Sequence, residues 1–165
     1  MEDRLFKKIL VPVDYSPCSE EAFRVAMSMA RVFQSEVVLL HVVDTKTLLT
    51  LNALGMALPS EEKLQKKRLR HHARLQARRL LASDDAKGVT TRRLLAEGSP
   101  FVEIARAIRT EKITLVVMGS YGGAGTVDRI FFGSTAEKVV RTAGCPVLTV
   151  PLGRTLPSQR TVGSR

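Results

Sequence analysis

Four short stretches of this chain are apolar almost without interruption, and segments of a different periodicity lie between them: residues 8–13, 36–43, 113–118 and 147–150. Continuous hydrophobicity marks strands covered on both faces, the condition of strands in a parallel sheet. A further run, 89–96, is more polar and belongs nearer a sheet edge. The segments between the runs carry apolar residues at helical spacing. The resulting order, β-α-β-α-β-α-β-α-β, predicts an α/β fold: an open five-stranded parallel sheet of Rossmann-like type, with helices on both faces and right-handed crossovers.

The helix starts are written into the sequence. Ser16-Pro17 and Ser99-Pro100 each place a capping hydroxyl before a proline, whose missing N–H costs nothing in a first turn. Behind Ser16, Ala22, Phe23, Ala26, Met29, Ala30 and Phe33 recur at helical spacing; behind Ser99, Phe101, Ile104, Ala105 and Ile108 do the same. Pro59-Ser60 opens a helix running to about Ser83, with a narrow apolar stripe of Leu69, Ala73, Ala77 and Leu80. Ser134-x-x-Glu137 reads as a capping box that starts a helix at Ser134, with Ala136, Val139, Val140 and Ala143 turned inward. Pro12 sits near the end of its strand, where a lost ladder N–H matters least.

Charge is unevenly spread. The chain of 165 residues has a net charge of +10, and residues 60–82, with eight Lys/Arg against two Glu, supply +6 of it. The segment 152–165 has three Arg and no acid, and is expected to be a disordered basic tail behind a single domain, 1–151. A charge run alone carries little specificity, so a solvated helix face is preferred to a nucleic-acid or anionic-membrane partner. No apolar run approaches the roughly 20 residues that span a bilayer. Met1-Glu-Asp-Arg does not resemble an export signal, and two cysteines, Cys18 and Cys145, make no disulfide framework, so a cytoplasmic protein with reduced thiols is expected. Residues 44–58 are long and apolar for a connection, and read as a flap or partner surface at 48–58.

The strongest chemical signal follows the fourth run. Gly119-Ser-Tyr-Gly-Gly-Ala-Gly125 leaves a strand, and eight residues later Gly133-Ser134 opens a helix. A glycine-rich loop between a strand and a helix N-terminus brings unclaimed backbone N–H groups together with the positive end of a helix dipole, and so suits an anion. No Gly-Lys-Ser/Thr follows, so it is not a Walker A loop, and its place in the chain does not fit a dinucleotide fingerprint. The loops leaving strand carboxyl ends at 12–14, 41–44 and 119–125 are expected to gather at one edge.

In these residues the chain resembles the universal stress protein family. The likeness runs through Lys8-Ile-Leu-Val-Pro-Val-Asp14 with Ser16, Leu40-His-Val42, Met118 to Gly122, Gly133-Ser-Thr-Ala-Glu-Lys-Val-Val140 and Cys145-Pro-Val-Leu-Thr-Val150. The resemblance implies the adenine nucleotide-binding type of the fold, and ATP as ligand, with Mg2+ a further possibility. It implies that Pro12, Val13 and Asp14 lie beside the nucleoside, Val42 on the adenine and Met118 under the nucleotide. Gly119, Gly122, Gly123, Gly133, Ser134 and Thr135 would hold the phosphates. It also implies a homodimer formed through the last strand, Val147–Val150. One departure stands out: the family's ATP-binding branch carries Gly-x-x-Gly, nine residues, then Gly-Ser/Thr. Here ten residues separate Gly122 from Gly133, and nine separate Gly123 from it. The loop therefore carries one extra residue.

Groups for catalysis are sparse. His41 lies in an apolar run and reads as a satisfied, partly buried residue, and His71 and His72 cannot both face one site. Asp14 is the shape of a turn-forming aspartate as much as of a ligand group. Asp14 and Asp128 could share a water-bound Mg2+, and Arg129 could meet phosphate charge. The expected role is a nucleotide-dependent stress-response or signalling regulator. A nucleotide-free interaction module and a slow ATPase or self-phosphorylating protein are the alternatives.

Overall fold

A computed structural model describes residues 6–45, 50, 53–54, 59–121 and 132–152. Five strands, β1 (Lys8–Pro12), β2 (Glu36–Asp44), β3 (Thr90–Gly98), β4 (Leu115–Gly119) and β5 (Val147–Val150), form one sheet in the order β3-β2-β1-β4-β5. Every pairing is parallel. Between them run α1 (Pro17–Phe33), α2 (Pro59–Leu81), α3 (Pro100–Thr110) and α4 (Ser134–Thr142). The fold class is the one expected, and the polar run, β3, is an edge strand.

Side-chain alternation along β1 sorts the core into two layers. Ile9 and Val11 pack with Phe23, Ala26 and Met27 of α1 and with Ala77 and Leu80 of α2. Leu10 faces the other way, onto Ile104 and Ile108 of α3 and Val139 of α4. Helices α1 and α2 therefore cover one face, and α3 and α4 the other. Ile9, Leu10 and Val11 are fully buried, which is why the run cannot alternate. Burial of each such side chain contributes about 1.5–3 kcal/mol.

Helix starts divide by mechanism. Ser16 caps α1 as expected: its Oγ accepts from Ser19 N–H at 3.3 Å. At α4 the capping-box reading is overturned. Gly133, extended at φ −61° and ψ 147°, is the N-cap, and no side chain caps the helix. Ser134 is already helical, so its hydroxyl cannot reach back, and Glu137 instead pairs forward with Arg141 at 3.4 Å. Two other inward assignments fail. Leu69 on α2 is 43% exposed and Val140 on α4 is 48% exposed. Each sits on a helix that meets the sheet along one narrow strip, beyond which nothing among the described residues covers it. Met27, which the spacing passed over, is fully buried.

Candidate functional site

The crevice opens where the strand order reverses. The chain passes from β1 to β2 on one side and places β4 on the other, so connections diverge to either side of β1. Pairing of β1 with β4 covers Ile9–Leu115 and Leu10–Val116 and then stops, while pairing with β2 continues to Pro12–Leu40. Val13 N–H donates to Leu40 O at 2.8 Å. By alternation the nitrogen of Pro12 points to the β4 side, where the ladder has already ended. The missing donor thus falls at the parting of the strands.

A cleft of about 460 Å³ occupies this position, within the roughly 300–1,000 Å³ range of small-molecule sites. Pro12, Val13, Asp14, Val42, Met118, Gly119, Gly133, Ser134 and Thr135 all line it. Gly122, Gly123, Asp128 and Arg129 lie outside the described residues. The cleft also takes in Asp44 and Tyr121, from the loops expected to gather at this edge, and Ser19, Leu40, Pro100, Ile104 and Ala136, which were not singled out for the site from sequence. A signal for one wall was available: Ser99-Pro100 follows a strand end just as Ser16-Pro17 does, and strand ends of a parallel sheet share an edge. Among the described residues only Asp14 and Asp44 bring charged side chains to the lining, and no group of three or more potential metal ligands is found.

The positive polarity of the cleft comes from backbone. Glu137 N–H makes the first intrahelical bond of α4, to Gly133 O at 2.9 Å. The amides of Ser134, Thr135 and Ala136 precede it and have no acceptor among the described residues, as expected of a helix first turn. The helix dipole adds about half a positive charge there. Gly133 N–H is committed differently. It donates to Ser120 O at 2.8 Å and closes the two ends of the glycine-rich loop on each other.

Gly119 is small for a reason the loop motif does not reveal. A Cβ at this position would lie 3.0 Å from Cys18 Sγ, 3.1 Å from Cys18 C and 3.2 Å from Cys18 O. The first turn of α1 presses directly on the end of β4. Cys18 Sγ–H and Ser120 N–H both donate to Val150 O, at 3.2 and 3.0 Å, and tie α1, β4 and β5 together. Cys18 is buried and free, so it is part of this junction.

Asp14 forms the turn expected of a loop aspartate. Its Oδ1 accepts from Ser16 N–H at 3.0 Å and from Ser16 Oγ at 2.6 Å, while the residue remains exposed on the cleft rim. Tyr15 beside it holds a left-handed backbone, φ 64°, which costs a non-glycine residue energy. Its ring stacks on His41 at 4.7 Å and its hydroxyl donates to Ala73 O of α2 at 2.9 Å. Burial pushes the Tyr15 phenol up to about 12. His41 Nδ1 lies 2.8 Å from Val13 O; a carbonyl can only accept, so Nδ1 carries the proton. Burial holds the His41 pKa below the usual histidine value, outweighing the opposing effects of the Val13 carbonyl and Asp14. The histidine is thus a brace for the β1 loop, satisfied and half-buried as its sequence context suggests.

A sequence model of the universal stress protein family matches residues 5–151. The chain belongs to the universal stress protein family. Universal stress protein MJ0531 of Methanocaldococcus jannaschii is 34% identical over 148 residues, covering 90% of this chain and 84% of its own length. The solved structure of MJ0577 from the same organism aligns with a TM-score of 0.75 at 26% identity, over 92% of this chain and 99% of that one. The universal stress protein of Archaeoglobus fulgidus, solved in complex with dAMP, shares the fold at 21% identity and a TM-score of 0.55, over 88% of this chain and 98% of that one. Among the described residues no helix is long and apolar enough to cross a membrane.

Proposed function

We propose that the cleft binds an adenine nucleotide, with ATP as its ligand, and that occupancy makes the protein a stress-response regulator. The observation that carries this reading is the pairing, in one cleft, of an apolar wall with three acceptor-free amides. Leu40, Val42 and Met118 offer a flat apolar surface to a base. The amides of Ser134, Thr135 and Ala136 suit phosphate oxygens, which Gly122 and Gly123 would help to enclose. Pro12, Val13 and Asp14 flank the nucleoside, and Asp44 adds a second carboxylate for ribose hydroxyls. Gly119 acts by its small size, which admits α1, and Gly133 acts through its N–H, which closes the loop on Ser120 O. The relative solved with dAMP supports the choice of an adenine ligand. Binding of this kind changes function when the nucleotide favours one of two states of the surface around it. The described part of the lining offers carboxylates and amides, groups suited to holding a nucleotide.

The test is heat denaturation of protein purified without added nucleotide, followed by chromatography of the supernatant. Adenine nucleotide released in stoichiometric amount is the expected result. Its absence, together with an unmoved melting temperature in excess Mg-ATP, refutes the reading, because a ligand at about 100 times its Kd stabilises by about 2.7 kcal/mol.

A pairing of two copies through β5 belongs to the same proposal. Among the described residues β5 is an edge strand, which leaves backbone groups free along one side, and its Leu148 is 37% exposed. Sedimentation should give a dimer that Leu148→Asp dissociates; a wild-type monomer at micromolar concentration overturns it.

A further inference from the structure

The solvent face of α2 holds a row of cations that the fold leaves without acidic partners. Arg70 and Arg79 are tied down, to Glu97 and Glu20. Lys63, Lys67, Arg68, Arg74 and Arg78 are exposed, and none meets a carboxylate among the described residues. Ala73, Ala77 and Leu80 turn one side of the helix into the core; at 3.6 residues per turn Lys63, Lys67, Arg74 and Arg78 fall along one flank about a quarter turn away, with Arg68 further round the exposed surface. From Lys63 to Arg78 the row runs about 23 Å at 1.5 Å per residue.

We infer that this face of α2 docks on duplex DNA through its phosphate backbone, without reading sequence. A row of cations along one flank of a helix complements a polyanion that carries a charge every 1.7 Å or so of its axis. Residues 59–81 contain no Phe, Tyr or Trp, so the face lacks the stacking platform that single strands require. Anionic lipid is disfavoured by the apolar residues. Leu64 and Leu75 are 50% and 52% exposed, but they lie about 17 Å apart with Lys67, Arg68 and Arg74 between them. A helix lying in a membrane interface needs a continuous apolar stripe. Helix α2 packs over β2 and β3, at the far end of the sheet from β5, so pairing of two copies through β5 leaves the face open. Nor does the inference depend on the nucleotide cleft.

Fluorescence anisotropy of a labelled duplex of arbitrary sequence, titrated with the full-length protein at several salt concentrations, tests it. Five phosphate contacts predict a slope of about −4.5 in log K against log salt, a loss of about 500-fold between 50 and 200 mM. The variant Lys67→Gln/Arg68→Gln/Arg74→Gln/Arg78→Gln changes only exposed side chains. Its slope should fall to about −1, with a loss of only about 4-fold over the same interval, and its melting temperature should stay that of the wild type. The inference is overturned by any of three results: no binding at 50 mM salt, an unchanged slope in the variant, or binding to anionic vesicles without binding to the duplex.

Discussion

Replacing Ser134 by proline removes its main-chain donor, together with its hydroxyl, from the cleft and leaves the fold otherwise intact. Ser134 is the first residue of α4, a position that suits proline because its N–H has no intrahelical acceptor. A proline also restricts the residue before it to extended backbone. Gly133 already has φ −61° and ψ 147°, so the restriction is met without rearrangement. No described hydrogen bond of the fold uses the Ser134 amide, and the side chain is exposed. Stability should therefore change little. If that amide donates to a phosphate, its loss removes a hydrogen bond to a charged acceptor, worth about 1.5–3 kcal/mol. That corresponds to a 10- to 150-fold rise in Kd for ATP. Ser134→Ala separates the main chain from the hydroxyl, because it keeps the amide, and it should cost less. Equilibrium binding of a fluorescent ATP analogue, competed with ATP, measures both variants beside the wild type. Equal affinity for wild type and Ser134→Pro, in a variant whose melting temperature and circular dichroism are unchanged, would refute the amide cradle.

Three further predictions follow from the same geometry. Gly119→Ala forces a methyl against the Cys18 backbone, which cannot turn aside as a side chain could. Overpacking of about 1–3 kcal/mol should lower the melting temperature by about 2–12 °C, and Cys18→Ala should restore only part of it because two of the three contacts are main chain; full restoration would contradict the cause assigned. His41 has a folded pKa depressed by burial, so stability should be intact above its unfolded value, near 6.5, and decline as pH falls through the folded value; His41→Gln should flatten that decline in urea titrations, and an unchanged acid profile would count against the brace. Tyr15, raised to about 12, should stabilise fully below pH 10 and lose that contribution as pH rises toward 12, a loss that Tyr15→Phe abolishes; ultraviolet difference absorbance showing Tyr15 ionised near pH 10 in folded protein would contradict it.

The sheet was legible because burial on both faces leaves a plain mark. Ile9, Leu10 and Val11 have no solvent side, so no polar residue interrupts them, and β3, with a free edge, shows its polarity in Arg92 and Arg93. The helix stripes were legible where they meet the sheet squarely, as at Ala22, Ala26 and Ala30. They misled at Leu69 and Val140, where an apolar residue at the right spacing sits past the margin of contact. The cap of α4 was misread by one residue because Ser and Gly both suit the position, and only the backbone angles decide which of them is extended. Gly119 shows the converse limit. Its smallness is enforced by Cys18, about a hundred residues earlier in the chain, and no local pattern carries that information. Tyr15 gives no hint in sequence of its left-handed backbone. Pro100 and Ile104 could have been placed at the cleft from topology alone, since β3 ends on the same edge as β1, β2 and β4.

We propose that main-chain amides at the start of α4, set against the apolar wall of Leu40, Val42 and Met118, bind the phosphates and base of one ATP. Isothermal titration calorimetry of nucleotide-free protein with Mg-ATP decides between binding and none. One saturable site per chain, with GTP binding more weakly, is the predicted result. A trace no different from the heat of dilution, obtained on folded protein at concentrations well above micromolar, would contradict it.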